Sequence, residues 1–462
     1  MSSPMRFHGW FDEFLPALNR AVLAGSAPPG AVAEAMAVFL RELPSPTVLT
    51  VPEAQQLIIG LGLAGASVAR HFQEQDPSRK GHPERAFDGL AAGPELLPFR
   101  VYFAALAERT GTGHYGRDAY ASLVLWNAPA TEVRYAGETL AALPGVNDGP
   151  ILSYSGNESE RWFFEFVKRG QTLETAVNNL LAPIVAGELP CAHPEAVRRA
   201  QVGTTLLEIL RRLFLEFADV KAGRGMQPAY FMDVFRQYAA HWVVGDIPPS
   251  GALDVDALIR DFLFGTYDER YTAHAERMMP ALLRDERAAL RRAMGERPLP
   301  DRLLDEVGVD VGVLATLTAA QRVALVAANP ALQAWYLLLS SHARAAGAHL
   351  MLSKRFLFNP QRRRDESGEG DRPIVSNRAG TTGMDESHLD RLTRMRRGHR
   401  LAVLRLGTPV GPAAGVPAER IQLLPVLAPD RIPAAAPDGV LRPRRGPGGQ
   451  DSTSVTKGRS IG

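Results

Sequence analysis

Helical periodicity is the feature that most constrains this fold. Leu206, Leu207, Leu210, Phe214 and Phe217 fall on one helical face, with Glu208, Arg211, Arg212 and Glu216 mostly on others, the pattern of a helix that buries an apolar stripe. Similar patterns run from Val323 to Leu339, interrupted at Pro330, and from Leu389 to Leu404; a proline cannot continue a helix through its own ring. Period-two alternation of β-branched residues, the mark of a strand, is scarce. These patterns predict an all-α protein. With 462 residues and 45% hydrophobic content, the chain can build one large helical body with a smaller helical annex. We expect an N-terminal helical region over 1–115 and a larger helical domain over 116–406. From 407 to 462 repeated Pro, Gly and Ala cannot bury enough apolar surface to offset ordering entropy, so a disordered tail is expected there. Asn359 to Gly383, dense in Arg, Asp, Glu and Gly, reads as a long mobile loop between two helices.

Charge and cysteine usage remove several function classes. The chain carries 52 Lys and Arg against 50 Asp and Glu, a net charge of +2, and its Arg-rich stretches are confined to loops and the tail. A nucleic-acid binder concentrates a basic field over a whole domain, so no nucleic-acid partner is expected. The single cysteine, Cys191, permits no internal disulfide and no multi-cysteine zinc or iron–sulfur site, in keeping with a reducing compartment. The N-terminal residues show no basic segment followed by an apolar run, and Trp10, Phe11, Phe14 and Leu18 mark an amphipathic helix instead. The most apolar stretch, Leu57 to Val68, is shorter than the ~20 residues a membrane span needs. A cytoplasmic protein with no membrane partner is the expectation.

Two short patterns invite a chemical reading. Gly60-Leu61-Gly62-Leu63-Ala64-Gly65 matches the dinucleotide fingerprint G-x-G-x-x-G, which works only where it joins a strand to a helix. Here Pro52-Glu53-Ala54-Gln55-Gln56-Leu57 upstream opens a helix, so close helix packing through small residues is the better reading. The second pattern is Ser341-His342-Ala343-Arg344-Ala345-Ala346-Gly347-Ala348-His349, a helical run stripped to Ala and Gly around its imidazoles. A flat macrocycle needs such a surface beside its axial ligand, and neutral imidazole coordinates iron. His342 lies on nearly the same face as His349. Either residue taken alone fits a hydrogen-bonded core histidine better than a ligand.

The wider context of His349 bears on that choice. His349-Leu350-Met351-Leu352-Ser353-Lys354-Arg355-Phe356, a polar loop, then Gly380-Thr381-Thr382-Gly383-Met384-Asp385-Glu386-Ser387-His388-Leu389 resembles the indoleamine 2,3-dioxygenase/tryptophan 2,3-dioxygenase superfamily, with Thr382 where that family's loop carries glycine. Three more segments resemble it in the same order: Tyr120-Ala121-Ser122-Leu123-Val124-Leu125-Trp126-Asn127, Glu160-Arg161-Trp162-Phe163-Phe164-Glu165-Phe166-Val167, and Pro228-Ala229-Tyr230-Phe231-Met232-Asp233-Val234-Phe235-Arg236-Gln237-Tyr238. The likeness spans roughly 120–400. One family feature is missing, since Gly265 to His274 stands where a Gly/Ser/Ala-rich cofactor-contacting loop is expected. Trp126-Asn127-Ala128-Pro129 is also similar to the monodechloroaminopyrrolnitrin synthases of the same superfamily.

The resemblance implies a large helical haem-binding bundle with haem b as cofactor and His349 as the axial iron ligand, His342 being the alternative. It implies a substrate pocket of Tyr120, Phe163, Phe164, Val167, Phe231, Arg236, Gly380 and Thr381, with Arg344 toward a haem propionate. Val167 stands where indoleamine dioxygenases carry serine. A guanidinium emerging beside Phe231 and Phe235 suits bidentate capture of a carboxylate in an apolar cavity. The implied reaction is oxidation of L-tryptophan or a substituted indole by O2 at the C2–C3 bond, with no side chain assigned as acid or base and with the cofactor carrying the redox chemistry. Two other readings stay open: ring rearrangement of a chlorinated tryptophan, and a non-catalytic haem-binding or interaction protein.

Overall fold

The structure is a computed structural model that describes residues 7–112, 121–147, 149–219, 225–247, 254–368, 373–376, 378–380, 383–406 and 416–425. The described residues belong to one compact, mostly helical unit. After a π-helical turn at Trp10–Phe14 come α1 (Leu15–Leu23), α2 (Ala31–Leu40), α3 (Val51–Gln75), a two-residue strand pair β1 (Ala91–Ala92) and β2 (Leu97–Pro98), and α4 (Phe99–Thr110). A hairpin of β3 (Thr131–Tyr135) and β4 (Glu138–Leu143) precedes the long helices α5 (Glu158–Val185) and α6 (Pro194–Ala218). A short α7 (Pro228–Tyr230) runs into a π-turn over Phe231–Phe235. Then follow α8 (Val255–Leu263), α9 (Glu269–Met278), α10 (Arg284–Gly295), α11 (Leu299–Glu306), α12 (Val311–Thr316), α13 (Ala319–Ala328), α14 (Pro330–Ser353), α15 (Asn359–Ser367), α16 (Glu386–Arg397) and β5 (Ile421–Pro425). Among the described residues no single helix is long and apolar enough to cross a membrane.

Residues 60–65 lie inside α3. Its start is fixed by a capping box, in which Thr50 Oγ1 accepts from the Glu53 amide and the Thr50 amide donates to Glu53 Oε2 at 2.8 Å. The glycines serve close approach: a Cβ on Gly60 would lie 2.4 Å from the Phe11 ring, and one on Gly65 would lie 2.3 Å from Trp242. Trp242 in turn packs against Phe87, Phe99 and Phe103. The N-terminal helices therefore share an apolar core with Leu123 to Trp126, Phe164 and Phe235, and this places α3 behind the site described below.

Three expectations need correction. Asn359 to Ser367 is helical rather than the start of a loop; every residue in it is at least partly exposed, so it carries no apolar periodicity by which to recognise it. The tail expected to be disordered from 407 includes a strand, because β5 pairs antiparallel with β3, which itself pairs with β4. The hairpin was also not legible as alternation: its two-residue turn, Ala136 (φ +51°) and Gly137 (φ +86°), has the positive dihedrals of a type I′ turn, with alanine where asparagine or glycine would have signalled it. Residues 407–415 and 426–462 lie outside the described residues.

Gly65→Ala is expected to destabilise the protein by roughly 1–3 kcal/mol, the cost of overpacking a filled core, read from the urea unfolding midpoint. An unchanged midpoint would show that the α3–Trp242 contact can yield without cost.

Candidate functional site

Three helical stripes face one another across a cavity of about 320 Å³, within the range of small-molecule sites. From α5 come Phe163, Phe166, Val167, Gly170, Gln171 and Glu174; from α6, Leu210, Phe214 and Phe217; from α14, His342, Ala345, Ala346, His349 and Leu352. Each set recurs at three- and four-residue spacing, so one face of each helix forms a wall. The π-turn closes one end with Phe231, Phe235 and Arg236. The rings form an edge-to-face cage: Phe163 lies 5.0 Å from Phe235, 6.2 Å from Phe231 and 6.0 Å from Phe217 between ring centres. Ala345 and Ala346 of α14 line the same cavity and take up little of its space.

The two histidines of α14 differ in what they can do. His342 is buried, gives Nε2–H to Asp261 Oδ1 at 2.8 Å and receives Arg260 Nε at Nδ1 at 3.4 Å. Both its nitrogens are engaged. His349 lines the same cavity one stripe further on, 5.7 Å from the Phe214 ring, and its imidazole has no hydrogen-bond partner among the described residues. Burial, then the nearby Arg396, pushes its pKa down to about 4, so at neutral pH it is an uncharged base with a free lone pair.

Behind His342 is a buried ionic cluster that the sequence reading missed. Asp261 accepts from His342, Thr266 Oγ1 (3.0 Å), Tyr271 (2.6 Å) and Arg396 (2.8 and 2.5 Å), while Arg260 pairs with Glu174. Burial alone would raise the Asp261 carboxyl; Arg396 and the hydrogen bonds overcome this and hold it well below the usual carboxylate range. Charged residues at 174, 260 and 261 on otherwise apolar helix faces were the available signal.

Arg236 is 7% exposed. Its Nη2 donates to the Ser376 (2.8 Å) and Ala379 carbonyls, and its Nε is buried without a partner. No carboxylate meets it among the described residues, and burial pushes its pKa down to about 10. Desolvation makes such a cation costly unless an anion joins it. Gln171 Oε1, also on the wall, is likewise buried and unpartnered.

The cavity thus brings together Phe163, Val167, Phe231, Arg236, Gly380 and His349. Tyr120 and Thr381 lie outside the described residues. Phe164 is buried behind the wall against Phe163 and Phe235, not on the cavity surface. Arg344 does not line the cavity either; its guanidinium pairs with Glu208 at 2.8 Å. Asn127 is a structural hub, bonded through its amide to both backbone groups of Leu152, and contributes nothing to the cavity wall. In place of the expected small-residue loop, Asp254, Ala257, Leu258, Tyr271 and His274 complete the wall. No group of three or more His, Cys, Asp or Glu among the described residues is arranged to hold a metal ion. A metal at His349 therefore needs its remaining ligands from a macrocycle, and the free imidazole beside small residues fits that requirement.

Two outcomes follow from this geometry. Asp261→Asn leaves Arg396 without its carboxylate partner and is expected to cost about 3–5 kcal/mol in unfolding free energy; a loss below about 1 kcal/mol would mean that the cluster relaxes freely. His349 titrates near its ordinary value, about 6.5, only in the unfolded chain. Unfolded protein then binds more protons below that pH, and the stability contributed by the neutral imidazole is lost as pH falls from about 6.5 toward 4. Asp254 and Glu286, raised by burial to about 8 and about 7, act in the opposite sense. The readout is therefore a difference: His349→Ala gains about 2 kcal/mol on wild type between pH 7.5 and pH 5, and a constant difference would show that His349 is not held neutral. Compared with known proteins, the chain matches no protein-family model and no curated protein.

Proposed function

We propose that this chain is a haem-binding oxidoreductase of the dioxygenase type that acts on L-tryptophan or a substituted indole with O2. The observation that carries the reading is that one aromatic cavity is lined both by the unpartnered imidazole of His349 and by the buried guanidinium of Arg236, which meets no carboxylate among the described residues. His349 would hold the iron of haem b, with Ala345 and Ala346 giving the macrocycle room. When bound, haem supplies the activation of oxygen. Everything else is the work of the chain. Phe163, Phe231 and Phe235 take the flat indole by edge-to-face contact and keep water from the reacting bond.

Arg236 offers a substrate carboxylate its free Nε–H, and exchange of its carbonyl partners would make the contact bidentate. Fixing both ends of the substrate turns a bimolecular encounter into a positioned one. Val167 presents no hydroxyl, and Gln171 is the polar group of α5 that can meet a ring N–H through its unpartnered Oε1. An electron-rich indole can react before losing a proton, so this reading assigns no residue of the wall as acid or base.

The purified full-length chain is expected to bind haem with a Soret absorption that His349→Ala abolishes and added imidazole restores. Arg236→Gln should raise KM for tryptophan about 100-fold, the loss of a charge-assisted pair, and leave indoles without a carboxylate nearly unaffected. Mass spectrometry of the product should find two added oxygen atoms. No affinity for haem overturns the reading, and a product without added oxygen replaces dioxygenation by rearrangement.

A further inference from the structure

Helices α9 and α16 enclose a second pocket, of about 350 Å³, beside the cavity. Arg270, His274 and Arg277 enter it from α9, and His388 and Arg391 from α16. On each helix these positions are three or four residues apart, so two basic stripes face each other. No carboxylate lines the pocket among the described residues. Asp268 pairs with Arg391, and Asp385 lies 2.9 Å from His388, but Arg270 and Arg277 have no acidic partner among the described residues.

His274 supplies the independent sign of a ligand. It is 7% exposed, and its Nδ1 receives Arg277 Nη2 at 2.8 Å. The ring proton therefore belongs on Nε2, which has no partner among the described residues, and the residue lines both pockets. Burial, then Arg277 and His388, pushes its pKa down to about 4, so the imidazole is neutral at pH 7 and carries one N–H.

We propose that this pocket binds a small phosphate-bearing anion. Three guanidiniums and an imidazole N–H offer more donors than the two oxygens of a carboxylate can use, whereas a tetrahedral dianion has acceptors for all of them. The volume is that of a small-molecule site, larger than a bare phosphate fills, so the group comes either free or on a small organic ester. These donors belong to α9 and α16 and are independent of haem and of indole chemistry.

The test titrates inorganic phosphate and, separately, glycerol phosphate into the full-length protein at about 0.15 M salt, where weak surface attraction is screened. Calorimetry reads affinity, and NMR reads the His274 and His388 side chains. Saturable one-site binding that shifts both histidines is expected. Arg277→Gln and Arg270→Gln should each weaken it about tenfold, the loss of one charge-assisted hydrogen bond, while Arg100→Gln, at an exposed position of α4, leaves it unchanged. Arg270 has no side-chain partner to lose, so its variant keeps the test valid if Arg277→Gln melts early. Tighter binding of the ester supports a phosphorylated metabolite, and equal affinity supports free phosphate. Absence of saturable binding, or affinity unchanged in both pocket variants, overturns the proposal.

Discussion

The carboxylate of Asp261 is the tie on which the arrangement around the cavity depends. It belongs to α8 and accepts hydrogen bonds from His342 on α14, Tyr271 on α9 and Arg396 on α16. Four helices are thereby fixed to one buried charge. Such a group is stable only while its partners stay, so each helix is held in rotation as well as in position. His349, seven residues beyond His342 on a continuous helix, inherits its direction from this tie. The division of labour between the histidines follows: one is consumed by the scaffold, and the other is left with a free nitrogen.

Packing alone would close the space that these helices surround. Protein interiors fill to crystal density, and a cavity of this size persists because its walls are mismatched in shape. Ala345 and Ala346 on α14 line it together with phenylalanine rings packed against one another, and Gly170 on α5 lies against Leu210. The rings cannot cross the gap without losing those contacts. Arg236 holds two loop carbonyls with one nitrogen and leaves Nε unpaired, so a buried cation in the wall is only partly satisfied. That combination favours an anionic ligand over an empty space.

How much was legible depended on whether a feature is local. The long amphipathic helices, the stop at Pro330 and the glycines of α3 announce themselves, because spacing and steric demands act within a few residues. Trp242 against Gly65 does not, although the need for a small residue there does. The charged helix α15 and the hairpin with its Ala-Gly turn escaped, since neither carries an apolar period. Among the site residues, Phe163, Val167, Phe231, Arg236, Gly380 and His349 were legible from ordered motifs and converge on one cavity. Phe164 and Arg344 were implied by the same resemblance, and helical rotation turns each of them elsewhere. The Asp261 cluster was missed because its members are spread from Glu174 to Arg396.

By itself the sequence determined that the chain is mostly helical and that one helix carries two imidazoles on a face pared to alanine and glycine; periodicity and side-chain volume are properties of neighbouring residues. Only the tertiary structure decided which imidazole is free, which guanidinium lacks an acid, and that β5 returns to pair with β3. Those outcomes depend on which groups from distant segments occupy the same few ångströms. Hydrogen bonding and desolvation act on that proximity and not on order along the chain.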